Sequence, residues 1–104
     1  RRSGKVLQKM DNLKLVLTTR AFKNLSDIAE YYEAKQNGLG VRFVMYQKQQ
    51  TEILLTMPNI GRAGKIFGTR EIVLQDFPYL VVYRVRKKYI QILRIFHQSR
   101  KYPN

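Results

Sequence analysis

Residues 68–103 have the sequence GTREIVLQDFPYLVVYRVRKKYIQILRIFHQSRKYP, and this stretch decides the fold of the 104-residue chain. Three runs rich in β-branched and aromatic residues, at 69–75, 79–86 and 89–97, are separated by turn-forming residues. Asp76-Phe77-Pro78 and Lys87-Lys88 are the two connections, and both are short enough to join antiparallel neighbours. The stretch therefore predicts a three-stranded antiparallel meander.

A two-residue turn at Lys87-Lys88 sets a specific register between the last two strands. Under that register the pairs are Arg86 with Tyr89, Arg84 with Gln91, Val82 with Leu93 and Leu80 with Ile95. The face that it assigns to a helical cover carries Val81, Tyr83, Val85, Ile90, Ile92, Arg94 and Phe96. Arg94 would then need a partner such as Glu71, and a bulge at the turn would invert the two faces.

The chain before the meander begins with a short strand and an amphipathic helix. Leu13–Leu17 is a β-rich run, and Thr18 or Thr19 is suited to cap the helix that follows. Apolar residues then recur at three- and four-residue intervals, which places them on one face of a helix that extends to about Lys35. We expect this helix to cover the sheet.

A second helical pattern follows after a glycine-containing joint. Asn37-Gly38 and Gly40 end the first helix, since glycine accepts a left-handed conformation at low cost. The second pattern runs from Val41 to Met57 and stops at Pro58. Two helices with so short a joint predict an α-hairpin.

Residues 58–68, PNIGRAGKIFG, contain three glycines and a proline, which predicts a surface loop. The glycines do not have the spacing of a Walker phosphate-binding loop, and a strand rather than a helix follows them. Nucleotide binding is therefore not expected.

Positive charge is concentrated in the same part of the chain as the meander. Lys and Arg number 20 against 7 Asp and Glu, a net charge of +13. Residues 62–104 hold ten basic and two acidic residues, whereas residues 10–61 hold six and five. This asymmetry predicts an anionic partner or target, and a solvated basic surface is the alternative. The candidate anion-binding or target-binding residues are Arg62, Lys65, Arg70, Arg86 and Lys101.

Several classes of protein are disfavoured by composition. The chain has no Cys and a single His, His97, so neither a disulfide nor a protein-built zinc site is expected. We also expect no cofactor and no metal. A membrane partner is not expected either, because no apolar run approaches the roughly 20 residues of a spanning helix. Cytoplasmic localisation is the corresponding expectation. Residues 1–9, RRSGKVLQK, are interpreted as a basic extension or cloning remnant before one domain of residues 10–104.

Five segments in this order resemble the RelE/ParE superfamily of toxins from bacterial type II toxin-antitoxin systems. They are LTTRAFKNLSDIAEYYE (17–33), NIGR (59–62), GTREIV (68–73), YLVVYRV (79–85) and ILRIFHQSRKYP (92–103). The resemblance implies an α+β fold with an N-terminal strand, a helical hairpin and a three-stranded antiparallel meander in one twisted sheet. It also implies a cognate antitoxin as partner.

Two toxic activities occur on this fold, so the fold alone does not choose between them. One is ribosome-dependent cleavage of mRNA, for which the family typically places cations at positions that correspond here to Glu71, Val73 and Leu80. A carboxylate and two apolar side chains cannot stabilise a pentavalent phosphate. The residues left to carry a nuclease reaction would be His97, Arg94, Arg84 and Arg100.

The other activity is inhibition of DNA gyrase by binding, as in the ParE-like branch. The apolar residues after Tyr79, the Tyr83-Arg84-Val85 segment and the His-X-X-Arg pattern at His97–Arg100 resemble that branch more closely. Gyrase inhibition is therefore the favoured expectation, and a ribosome-dependent mRNA endonuclease is the alternative. A nucleic-acid-binding module without toxicity is the third class considered.

Overall fold

The computed structural model describes residues 13–100 and shows two helices packed on one face of a five-stranded sheet. The elements are β1 (Lys14–Leu17), α1 (Thr19–Lys35), α2 (Leu39–Thr51), a 3-10 turn (Glu52–Leu55), β2 (Arg62–Ala63), β3 (Arg70–Val73), β4 (Tyr79–Val85) and β5 (Tyr89–His97). The predicted α+β class and order of elements are confirmed. None of the helices in this part of the chain is long and apolar enough to cross a membrane. The predictions for residues 1–9 and for Lys101 lie outside the described residues.

The strands lie in the order β1-β5-β4-β3-β2. β1 runs parallel to β5, with Lys14 opposite Tyr89 and Leu17 opposite Ile92, and every other pair is antiparallel. β2 is a correction to the sequence analysis, because it lies inside the segment predicted to be only a loop. It forms where that segment turns back on itself and pairs with the start of β3.

The predicted register between β4 and β5 is correct next to the turn but wrong farther along the strands. Arg84 faces Gln91 as expected, but Val82 faces Arg94 rather than Leu93, because β5 carries one extra residue opposite Val82 and Tyr83. Beyond this bulge each β5 side chain lies on the opposite face from the predicted one. Ile95 consequently enters the helix-covered core, whereas Phe96 packs on the other face.

Side chains at the start of α1 hydrogen-bond to the β5 backbone at the bulge, because the pairing with β1 ends just before it. Thr18 caps the helix by accepting from the Ala21 amide at 3.0 Å, and its hydroxyl also donates to the Leu93 carbonyl at 3.2 Å. The Ile95 amide donates to Asn24 Oδ1 at 3.1 Å. These side chains satisfy β5 backbone groups that have no strand beside them.

The main core lies between the helices and the sheet. Its buried members are Ala21, Ile28, Phe43, Leu54, Leu74, Phe77, Tyr79, Val81, Tyr83, Ile90, Ile92 and Ile95. Near the joint of the helical hairpin it is aromatic, with Tyr32, Phe43, Phe77 and Tyr79 at centroid distances of 5.1–6.1 Å. Most of these pairs meet edge to face, which is a favourable geometry for aromatic rings.

The joint of the hairpin is held by one carboxylate. Glu33, near the end of α1, accepts hydrogen bonds from the amides of Gly38 at 2.8 Å and Gly40 at 3.0 Å. A negative charge at these free amides stabilises the start of α2. Gly38 has the predicted left-handed conformation, with φ of 88°, but it precedes α2 rather than capping α1. The second helix ends at Thr51, earlier than predicted, and the 3-10 turn follows.

Gly40→Ala tests how tightly the two helices cross. A Cβ at this position would collide with the carbonyl oxygen of Ala29 in the facing helix and would lie 3.0 Å from Glu33. Because the obstacle is backbone, the helices must separate, and we expect a loss of about 1–3 kcal/mol in the free energy of unfolding. Chemical denaturation followed by circular dichroism measures it. Gln49→Ala, on the exposed part of the same helix, is the control; an equal stability for both variants would contradict the tight crossing.

Candidate functional site

The sheet face without helices carries Glu71, Val73 and Leu80, the positions at which the resemblance predicted cations for a nuclease. Register puts Glu71 opposite Val82 and Val73 opposite Leu80, so all four residues lie on that face. Leu80, Val82 and Phe96 form a second buried apolar cluster there, with Val73 and Leu93 packed beside it. The apolar side chains of Val73, Leu80 and Val82 offer no group to an oxyanion at these positions.

Glu71 is the buried acid on this face, with only 4% of its surface exposed. Its Oε1 accepts from Arg62 Nε at 3.0 Å, and a buried carboxylate of this kind requires such a partner. Arg62 was not expected as the partner of Glu71 from the sequence. The Arg94 guanidinium carbon lies 5.1 Å from the centroid of the Phe96 ring, a cation–π distance.

His97 lies at the end of β5, paired with Tyr79 and with its ring 5.3 Å from the tyrosine ring. Its Nδ1 accepts from the Ser99 amide at 3.1 Å and lies 2.8 Å from the Ser99 hydroxyl. A nitrogen that accepts from a backbone amide carries no proton, so the neutral imidazole holds its proton on Nε2. The imidazole is thus held in one tautomer at an exposed strand end.

The four candidate nuclease residues do not converge. His97 pairs with Tyr79 and Arg84 pairs with Gln91, and the five intervening steps along β4 correspond to roughly 17 Å. Arg94 shares the Val82 face, whereas His97 lies beside Tyr79 of the main core. Of the other three, only Arg100 lies near His97: its backbone amide donates a hydrogen bond to the His97 carbonyl at 3.0 Å. The four residues therefore form two pairs, Arg84 and Arg94 on the helix-free face and His97 and Arg100 at the end of β5.

The candidate anion-binding residues divide into two groups. Arg62 is engaged with Glu71, and Arg70 donates to the carbonyls of Asn59 at 3.2 Å and Gly61 at 2.8 Å, so both arginines hold the β2 segment in place. Lys65 and Arg86 are exposed, in the β2–β3 and β4–β5 turns. Lys101 lies beyond the part of the chain that the structure describes.

Tyr83 has a structural role that its predicted place on the helix-covered face of the sheet did not indicate. It is fully buried, its hydroxyl donates to the Pro58 carbonyl at 2.7 Å, and it accepts from the Gly61 amide at 2.9 Å. Burial raises the pKa of this phenol. A lone tyrosine in a strand gives no sequence signal for such a role, because the acceptor and donor lie more than 20 residues away.

Residues 13–100 contain no group of three or more His, Asp or Glu side chains placed to hold a metal ion.

Comparison with known proteins decides the family. The model of the family described as ParE toxin of type II toxin-antitoxin system, parDE, matches residues 15–102. The chain belongs to the ParE toxin family. It is 32% identical over 94 residues to "Putative toxin Y4kP" of Sinorhizobium fredii (strain NBRC 101917 / NGR234), an alignment that covers 90% of this chain and 97% of the relative.

Solved structures agree with this ParE-family membership. The chromosomal ParDE system from P. aeruginosa contains a chain with a TM-score of 0.72 and 27% identity, covering 84% of this chain and 97% of that one. The E. coli RelBE toxin-antitoxin complex contains a chain with a TM-score of 0.59 and 21% identity, covering 85% and 99%. The second match shows the shared fold, and the first is similar in sequence as well.

Tyr83→Phe tests the role of the buried hydroxyl in this ParE-family chain. The variant leaves the Gly61 amide and the Pro58 carbonyl without their partner, so we expect a loss of about 1–3 kcal/mol in the free energy of unfolding. Denaturation and amide hydrogen exchange of Gly61 measure it. Tyr31→Phe, at an exposed position, is the control. Unchanged exchange at Gly61 would contradict the assigned role.

Alkaline pH should destabilise the fold through Tyr79. Desolvation by burial, together with a side-chain hydrogen bond to Tyr32 that favours the protonated phenol, raises the pKa of Tyr79 from 10.0 to about 12. Between these two values the unfolded chain ionises first and binds fewer protons than the folded chain, so stability falls as pH rises, by about 2–3 kcal/mol. Denaturation midpoints measured from pH 9 to 12 should show this loss, and Tyr79→Phe should reduce its slope. An identical slope in the variant would refute the assignment to Tyr79.

Proposed function

We propose that this ParE-family chain is a growth-arresting toxin that inhibits DNA gyrase by binding and that is neutralised by a cognate antitoxin. The observation that carries the proposal is the composition of the helix-free face. Leu80, Val82 and Phe96 are buried there in an apolar cluster, and Glu71 is an ion-paired carboxylate. Neither a buried apolar cluster nor a paired carboxylate supplies the cations that stabilise a phosphodiester transition state, whereas inhibition by binding needs no such group.

The arrangement of basic residues supports the same choice. His97 pairs with the first residue of β4, whereas Arg84 lies near the other end of that strand. Arg94 lies on the other face of the sheet from His97. The similarity to the P. aeruginosa ParDE chain, at 27% identity and a TM-score of 0.72, is a second support. The fold match to the RelBE complex is consistent with either branch, since at 21% identity it concerns the fold alone.

The antitoxin in this proposal covers apolar surface on the helical hairpin. A groove of 460 Å³ between α1 and α2 is lined by Ser26, Ala29, Glu30, Glu33, Gly40, Val41 and Val44. Phe22 and Val41 are more than 60% exposed. Exposed apolar residues beside a groove between helices are typical of a surface that binds a partner segment.

The decisive experiment is a supercoiling assay with purified toxin and gyrase. At micromolar toxin we expect loss of supercoiling, accumulation of cleavage complexes and recovery when the cognate antitoxin is added. A cationic protein can also inhibit by coating the plasmid, so relaxation of the same plasmid by a type I topoisomerase is the control and should proceed normally.

His97→Ala separates gyrase binding from RNA cleavage. If the toxin acts on gyrase by binding, this variant keeps its inhibition, because the imidazole serves no bond-making step. In a translating extract neither protein should cleave mRNA. Cleavage by the unmutated chain that is lost in His97→Ala, together with unimpaired gyrase, would replace the proposal by the ribosome-dependent nuclease.

A further inference from the structure

Two turns and the start of β1 lie together at one end of the sheet. Arg70 faces Tyr83, so the β2–β3 turn lies beside the end of β4, and a Cβ built on Gly68 would lie only 4.0 Å from Arg84 Nε. Lys14 faces Tyr89, which places the start of β1 beside the β4–β5 turn. We call this region the turn end; it comprises Lys14, Lys65, Phe67, Arg84, Arg86, Lys87 and Lys88.

The charge of the turn end has one sign. Six of its seven residues are Lys or Arg, and all but the half-buried Arg84 are exposed. The acidic residues of the described chain lie elsewhere. Asp27, Glu30 and Glu33 are on α1 and Glu52 is in the 3-10 turn, Glu71 is buried against Arg62, and Asp76 follows β3 at the opposite end of the sheet. Cations gathered without acids between them create a positive potential that attracts a polyanion.

Phe67 protrudes from the middle of this charge and is 99% exposed. The turn that carries it is held by several hydrogen bonds. Thr69 donates through its hydroxyl to the Ile66 carbonyl at 2.6 Å and through its amide at 3.1 Å, and the Gly64 amide donates to the Thr69 carbonyl at 2.8 Å. Gly68 has φ of 82°, a conformation that other residues rarely adopt. The ring is therefore presented to solvent by an ordered turn.

We propose that the turn end binds single-stranded nucleic acid, with its Lys and Arg side chains on the phosphates and the Phe67 ring stacked on a base. This combination of cations and an open aromatic ring is what sequence-tolerant single-strand binding uses. It shares only Arg84 with the candidate nuclease residues, as a cation for phosphate, and it requires no bond to be made or broken.

The exposed ring distinguishes a single strand from the other polyanions. An acidic protein would pair with the lysines but needs a pocket to accept Phe67, and a duplex has its base faces covered by stacking. An unpaired base presents a free π-face that matches the ring. The turn end spans β1, β5, β4 and β3, three interstrand spacings or about 14 Å, which is enough for a few nucleotides.

The experiment measures binding of the full chain to a fluorescent oligothymidylate of about 12 nucleotides by anisotropy, over roughly 50–200 mM salt. A duplex of equal length and a polyglutamate peptide of equal charge are the comparison ligands. We expect the single strand to bind most tightly. For four to six phosphate contacts, log K should fall with log salt with a slope of about −3 to −4.

Two variants separate stacking from charge. Phe67→Ala should weaken binding of the single strand by about 5- to 150-fold and leave the salt slope unchanged, since a base–aromatic contact is lost and no charge is. The double variant Lys87→Gln/Lys88→Gln should reduce the slope by about 1 and weaken all three ligands. Circular dichroism should show both variants folded, because the altered side chains are exposed.

The matched control is Arg20→Gln/Arg42→Gln, which removes two exposed cations from the helices. It should change the slope less than Lys87→Gln/Lys88→Gln does. Residues 1–12 are present in every variant, so their basic side chains contribute equally to each comparison. Equal effects of the two double variants, or unchanged binding by Phe67→Ala, would overturn the proposal. Tighter binding of polyglutamate than of the oligonucleotide would assign the turn end to an acidic protein instead.

Discussion

The one-residue bulge in β5 determines which side chains of the last strand face the helices. Before it, Ile90 and Ile92 enter the main core; after it, Ile95 and not Phe96 continues the apolar row. The bulge persists because Thr18 and Asn24 of the first helix bond the β5 backbone at that point. The helix entry and the sheet register are therefore one constraint, and neither can shift without exposing backbone groups of the other.

This constraint also limits what chemistry the sheet supports. It places Arg94 on the same face as the apolar Val82 and leaves His97 beside Tyr79 at the joint end of the molecule. Catalysis by several side chains requires them to be held around one point, usually by neighbouring strands in a fixed register. Here the register disperses them, and the helix-free face is filled by packing instead.

The elements of this fold could be predicted largely from local patterns, whereas the pairing between them could not. The three-residue and four-residue spacing of apolar side chains marks α1, and β-branched runs mark β4 and β5, because each pattern depends on the residues within one element. The backbone at the bulge is bonded by Asn24, whose side chain accepts a hydrogen bond from the Ile95 amide 71 residues later in the chain. In the sequence Asn24 appears only as a polar position in a helix.

The candidate site shows the same division. Exposure of Lys65 and Arg86 follows from their places in turns, but the engagement of Arg62 and Arg70 does not, since both partners come from the fold of the β2 segment.

The parallel pairing of β1 with β5 carries a consequence for biosynthesis. β1 finds its sheet partner only in the last strand, 75 residues later, so a ribosome-bound chain cannot close the sheet until β5 has emerged. The α-hairpin, by contrast, is local and can form early. A nascent chain therefore lacks its complete sheet for most of its translation, while the hairpin is already able to fold.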